Sequence, residues 1–386
     1  MYKHNVKLLK YFNFIIGFSL FAPLAIIYFS KVSGSYALGA SIFGIIMLSS
    51  AVFEVPTGIW SDKVGRRGTI ILGSWARLLA FLFYALAQNY TLLVIGAILE
   101  GLSRSFYSGN NDALLHDTLA DDGLEGDYDI YLGKTSYPEQ ISLGLSAILG
   151  SIIANFSFSY LMWLSFLSQL GLLYVSYRFN EPKSHTKGDS NLYTHLRQAI
   201  GLFITNKKLR LLSLGSMFGF AFGENKYQFR SAFVSTLWPI WALGLSSILS
   251  NFGASISYYF SSQIIKRFSA KNILYFSGIY NKIIMIIATS MPNIISPILL
   301  TTTSLLHGVR SVSESKLFHK EFTNQQRATM GSLNSLGGNL MYFIVSVTLG
   351  SMADTWGPAR AMLILTIVEL PTIYIYWRLY KQPINS

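Results

Sequence analysis

The chain has 386 residues and a formal charge of +12; 51% of its residues are hydrophobic and only 12% are charged. Soluble domains carry about a quarter charged residues, so this composition excludes a soluble globular protein, and the scatter of the basic residues through short loops excludes a nucleic-acid-binding patch. The absence of Cys excludes disulfides and thiolate metal sites, and six scattered His with no HExxH-type spacing give no metal site.

A window of about 19 residues gives twelve candidate spans, each an apolar run of membrane-crossing length. The first, Leu9–Tyr28, follows MYKHNVKLLK with no small-residue cleavage site and is expected to remain as a helix. Spans two and three, Ala37–Thr57 and Thr69–Ala87, flank the charged stretch EVPTGIWSDKVGRRGT, and Arg77 lies midway along the third. Span four, Thr91–Leu114, carries Glu100 and Arg104 at i and i+4, hence on one face. The acidic run DDGLEGDYD then reads as a solvated loop. YLGKTSY after it contains GKT, but the first glycine of a phosphate loop would fall at Tyr128, so no ATP site is expected. Spans five and six are Gln140–Ile153 and Tyr160–Tyr177.

Arg178–Gln198, rich in Pro, Gly, Ser and charge, reads as a linker between two bundles. Span seven, Leu211–Ser235, carries Glu224, Lys226 and Arg230; span eight is Leu243–Ile264, and span nine, Ile273–Ser290, carries Lys282. Span ten, Ile294–Val312, brings His307, Arg310 and, just past its end, Glu314. Spans eleven and twelve are Met330–Gly350 and Ala361–Tyr376, with Glu369 midway along the last. An ionisable residue inside a bilayer costs several kcal/mol or more, about 3 on insertion scales, unless paired or solvated, which makes each of these a functional candidate.

An even span count puts both termini on one side. That side holds Lys3, Lys7, Lys10, Lys63, Arg66, Arg67, the basic residues from Arg178 to Arg210, Lys266, Arg267, Lys271, Arg378 and Lys381, against little beyond Lys31 and Arg360 opposite. The basic-residue rule makes it cytoplasmic, in the inner membrane. Shifting the chain by 205 residues lays Gly73 on Gly278 and Arg77 on Lys282, which suggests duplication. The expected architecture is an all-α integral membrane protein, with twelve transmembrane helices in two pseudo-symmetric six-helix bundles. Residues 1–177 form the first bundle, 178–208 the cytoplasmic linker and 209–386 the second bundle.

Gly58-x-x-x-Asp62-Lys63-x-Gly65-Arg66-Arg67, between spans two and three, resembles the signature of the major facilitator superfamily at every fixed position. The resemblance is to its twelve-span, drug and metabolite exporter-like members. It implies two bundles rocking around a midplane cavity lined by spans one, four, seven and ten. Glu100, Arg104, Glu224, Lys226, His307 and Arg310 are then candidates for the substrate cavity and for proton coupling. Arg104 is similar to the family's span-four arginine. The resemblance also implies a conformational latch of Gly58, Asp62, Lys63, Gly65, Arg66 and Arg67, in which Asp62 meets the start of span eleven and the basic residues meet anionic lipid. Arg77, Lys282 and Glu369 read as structural charges, with Glu369 the partner of Lys282, and Arg230 reads as snorkelling to the surface.

The expected function is secondary transport by alternating access, with proton-coupled efflux of an amphipathic compound or drug as the leading form. The partners are a small-molecule substrate, protons and membrane lipids, without nucleic acid, ATP or any cofactor. Proton-coupled nutrient uptake is the alternative, since span five lacks the Gly-Pro pair of many exporters; a non-transporting receptor on the same fold is another. No nucleophile–base constellation points to an enzyme.

Overall fold

The computed structural model describes residues 2–183, 200–201, 203–321 and 324–381. The side chains of residues 55, 59, 62, 208, 318–321, 324–330, 332, 379 and 380 lie outside that description, as do residues 184–199 of the expected linker. The described residues contain helices and turns and no strand. In a bilayer each backbone N–H and C=O must be satisfied within the chain, and a helix does this along its own length.

Span one is two helices, α1 (Tyr2–Gly17) and α2 (Ala25–Ser33), broken where Pro23 opens a short 3-10 turn. Spans two and three form the 51-residue α3 (Tyr36–Leu86), which turns sharply at Gly65. Span four is α4 (Tyr90–Tyr107) with α5 (Asn110–Ala120). The Asn89 side chain accepts the Leu92 N–H at 3.1 Å and so caps α4. Spans five and six are α6 (Tyr128–Phe156) and α7 (Phe158–Tyr177).

The later half repeats this plan. Span seven is α8 (Lys207–Val234), and span eight is α9 (Leu243–Tyr259) with α10 (Ser261–Phe268). Span nine is α11 (Ala270–Ser290), and span ten is α12 (Ser296–Thr302) with α13 (His307–Glu321). Span eleven is α14 (Asn324–Trp356), and span twelve is α15 (Pro358–Val368) with α16 (Pro371–Tyr380). Each of the twelve expected spans is thus helical. Among the described residues nine helical segments are long and apolar enough to cross a membrane by length and composition. Spans four, seven and ten fall short, and they carry the clustered charges.

The chain divides into two compact units, Met1–Gly34 with Ile45–Ser190 and Ser35–Gly44 with Asn191–Ser386. In the first, α1 packs on α6 and α7, and Leu9, Phe12, Ile70, Leu114, Leu172 and Phe179 anchor the core. In the second, α8 packs on α14, while α11 packs on α13, α15 and α16; Leu212, Ile273, Leu274 and Val309 lie at the centre of that core. Polar residues such as Ser74, Gln169, Ser213 and Thr366 are fully buried, while Phe156, Phe252 and Ile294 are exposed. That inversion of the soluble pattern is what a hydrocarbon solvent demands.

Candidate functional site

Gly65 has φ 81° and ψ 173°, a backbone conformation open essentially to glycine alone. The turn aims the Arg66 and Arg67 N–H groups at one carboxylate. Glu181 accepts them at 2.7 and 2.8 Å. The Arg66 guanidinium donates to Asp117 at 3.0 Å, with the side chains only 14% and 2% exposed. Arg67 donates to the Tyr177 carbonyl at 3.0 Å. Asn110 ties the loop to α5 by donating to the Arg66 carbonyl and accepting from Ser61. Both arginines, expected on lipid, therefore bind the first unit itself, because the buried Asp117 of α5 and the Tyr177 carbonyl at the end of α7 lie within reach. Lys63 is exposed and Gly58 faces open space. The Asp62 side chain lies outside the described residues.

Inside the first unit, Glu100 is 6% exposed. One of its oxygens accepts from Arg104 at 2.9 and 3.2 Å, and the other accepts from the Tyr84 hydroxyl at 3.0 Å. The two cations nearby differ. The Arg104 side chain is 44% exposed, whereas Arg77 is buried, donates to Gln169 and stacks on Phe81. Arg77 is also within Coulombic reach of Glu139 on α6.

The second unit gathers its charges differently. Glu369, at the break between α15 and α16, accepts from Lys226 of α8 through one oxygen and pairs with Lys282 of α11 at 3.3 Å through the other. Lys226, expected at the cavity, thus shares the carboxylate expected to serve Lys282 alone. Arg310 does not pair with Glu314: it donates to the Tyr376 hydroxyl at 3.0 Å, and that hydroxyl donates to the Gly215 carbonyl. Glu224 accepts from Gln228, and His307 is exposed beside Tyr258. Arg230 does not snorkel. It donates to Ser250, Ser246 and the Pro297 carbonyl, because span eight offers hydroxyls within reach of the guanidinium.

The profile of the Major Facilitator Superfamily matches residues 8–345. The chain belongs to that superfamily. The MFS-type transporter YxaM of Bacillus subtilis (strain 168) is 18% identical over 375 residues, which cover 94% of this chain and 92% of the relative. The MFS-type transporter MJ1560 of Methanocaldococcus jannaschii is 21% identical over 379 residues, 90% of each chain. Among solved structures, the nucleoside transporter NupG superposes with a TM-score of 0.82 at 13% identity, over 98% of this chain and all of that one. A bacterial homologue of the human lysosomal transporter Spinster superposes with a TM-score of 0.76 at 14% identity, over 98% and 97% of the two chains. At such identities the structural likeness shows the fold.

As a major facilitator superfamily member, the chain is a multi-pass membrane transporter of a small molecule with an alternating-access fold, not an enzyme. Spacing and composition do not single out Glu139, Asp117 and Glu181 in this transporter. Glu139 follows Pro138, which reads as the end of a loop, yet α6 runs through it from Tyr128; its carboxylate has no hydrogen bond or ion pair with a described residue. Asp117 and Glu181 stand in polar stretches, where acids are ordinary. A glycine followed by two arginines needs acceptors for its exposed N–H groups, and that was the available signal.

Proposed function

We propose that this transporter is a proton-coupled exporter of a small amphipathic compound. Glu100 is the coupling carboxylate, and both termini lie on the cytoplasmic side of the cytoplasmic membrane. The observation that carries the reading is the asymmetric setting of Glu100. The carboxylate is buried, but the guanidinium that balances it is half exposed. A buried carboxylate that loses its cation sheds its charge by taking a proton. Substrate or a change of state that draws Arg104 away thereby couples to proton uptake at Glu100, and return of Arg104 expels the proton. The Tyr84 hydroxyl holds the carboxyl group in place in both states.

Arg230 and Arg310 form no ion pair with a described residue. In a low-dielectric interior such cations favour a substrate with an anionic group. The expected bundles at 1–177 and 209–386 belong to the same reading; of the expected linker 178–208, Phe179 and Glu181 pack on the first bundle and the remainder is the cytoplasmic tether, with Lys63 on anionic lipid.

The test uses purified protein in proteoliposomes with an imposed pH gradient, and ethidium and carboxyfluorescein as cationic and anionic probes. Proton-driven accumulation in the export direction, lost in Glu100→Gln, supports the reading. Accumulation only in the opposite direction replaces export with uptake. Probe binding without counterflow replaces transport with a receptor role, and a Glu100→Gln variant with unchanged pH dependence moves coupling to another carboxylate.

A further inference from the structure

The turn between α14 and α15 repeats the spacing of the signature loop. Gly350-x-x-x-Asp354-x-x-Gly357 matches Gly58-x-x-x-Asp62-x-x-Gly65 position for position, without the basic cluster. The backbone repeats as well: Gly357 has φ 81° and ψ 161°, against 81° and 173° at Gly65. Here the acidic side chain is described and its partner is visible. The two Asp354 oxygens accept the N–H groups of Tyr36 at 2.6 Å and Ala37 at 2.9 Å, the first two residues of α3. These donors have no partner within their own helix, and a carboxylate there also meets the positive end of the helix dipole.

The rest of the seam is made of small residues. A Cβ on Gly350 would stand 2.5 Å from the Ala37 Cα, so only glycine lets the helices approach this closely. Further along, Gly44 lies against Phe343 and Ser346, while the Tyr36 ring meets that of Phe229 at 5.4 Å. Ser35–Gly44 accordingly belongs to the second compact unit, whereas α3 from Ile45 onward belongs to the first.

One continuous helix is therefore shared by two units, and an alternating-access cycle that moves the units must break its contacts with one of them. Its later part is held by buried hydroxyls, Thr57 to Ser105 at 2.5 Å and Ser61 to Asn110 at 3.0 Å, and by the Arg66–Asp117 pair after the turn. Asp354 is exposed, so water can replace it on the two N–H groups. We propose that Asp354 is a positioning residue: it seats the start of α3 on α14 in one state of the transport cycle and releases it in the other. This rests on the alternating-access fold alone and does not depend on substrate, direction or coupling ion.

The chain has no Cys, so spin labels at Lys31→Cys and Arg360→Cys are the only ones introduced. Inter-label distances are measured by pulsed electron resonance on the full-length protein in nanodiscs, with amide exchange read at Tyr36 and Ala37. Asp354→Asn is expected to move the ratio of short to long distances about ten-fold toward long, the scale of a charge-assisted cap. Gly350→Leu should do the same with the carboxylate intact, and Ser351→Ala should match the parent. If Gly350→Leu does not fold, Asp354→Asn decides alone, since that side chain is exposed. Unchanged distances in Asp354→Asn overturn the proposal. So does faster exchange at Tyr36 and Ala37 without a distance change, which would make the cap a local helix end.

Discussion

Among the described residues each unit buries one glutamate beside basic side chains, and the two arrangements differ. Glu100 shares one oxygen with a half-exposed arginine and the other with a tyrosine hydroxyl. Glu369 is enclosed by two lysines whose side chains are 12% and 4% exposed. Attraction between charges grows as water is excluded, and so does the penalty for leaving one of them alone. On the proposed reading the first glutamate exchanges its partner at modest cost and the second does not. What differs between the two is the burial of the cation that directly bonds the carboxylate, 44% exposed for Arg104 against 12% and 4% for the two lysines.

The largest effect is expected from Glu369→Gln, which leaves two buried lysines facing each other without an anion. It should destabilise the protein by about 3–5 kcal/mol, read as a lower melting temperature and a smaller monodisperse fraction in detergent. Adding Lys282→Met should recover part of the loss. A Glu369→Gln variant as stable as the parent would break the comparison outright.

Arg66→Gln asks whether burial or membership of a unit decides. Its partner Asp117 lies in the first unit but is as enclosed as Glu369. A cost of about 2–3 kcal/mol is expected, somewhat below the full buried-pair value because Arg66 is slightly exposed. A negligible shift would mean that charges in the first unit are weakly held whatever their burial.

Glu100→Gln should cost only about 1 kcal/mol, since the amide keeps a hydrogen bond to Tyr84 and the freed Arg104 reaches solvent. Transport driven by a pH gradient should nevertheless disappear. A melting shift equal to that of Glu369→Gln would remove the distinction between the two sites. Lys63→Gln, an exposed position in the signature loop, should stay within about 0.5 kcal/mol by the same melting assay.

The twelve helical spans and the family signature could be read from the sequence, because hydrophobic run length and residue spacing are local quantities. Among the described residues spans four, seven and ten fall below the membrane-crossing criterion, and these are the spans that carry the clustered charges. Partnership was legible only in part: the expected Lys282–Glu369 pair forms at 3.3 Å, but the sequence did not point to the other partners. Lys226 and Glu369 stand 143 residues apart, and Arg66 and Asp117 stand 51 apart. Helical spacing fixes which face a side chain occupies on its own helix, and it carries no distance to another helix. Arg310 and Glu314 stand one turn apart, yet Arg310 turns to Tyr376 on α16. Tertiary structure alone decided which cations are buried and which carboxylates and hydroxyls they meet, because those contacts join helices far apart in the chain.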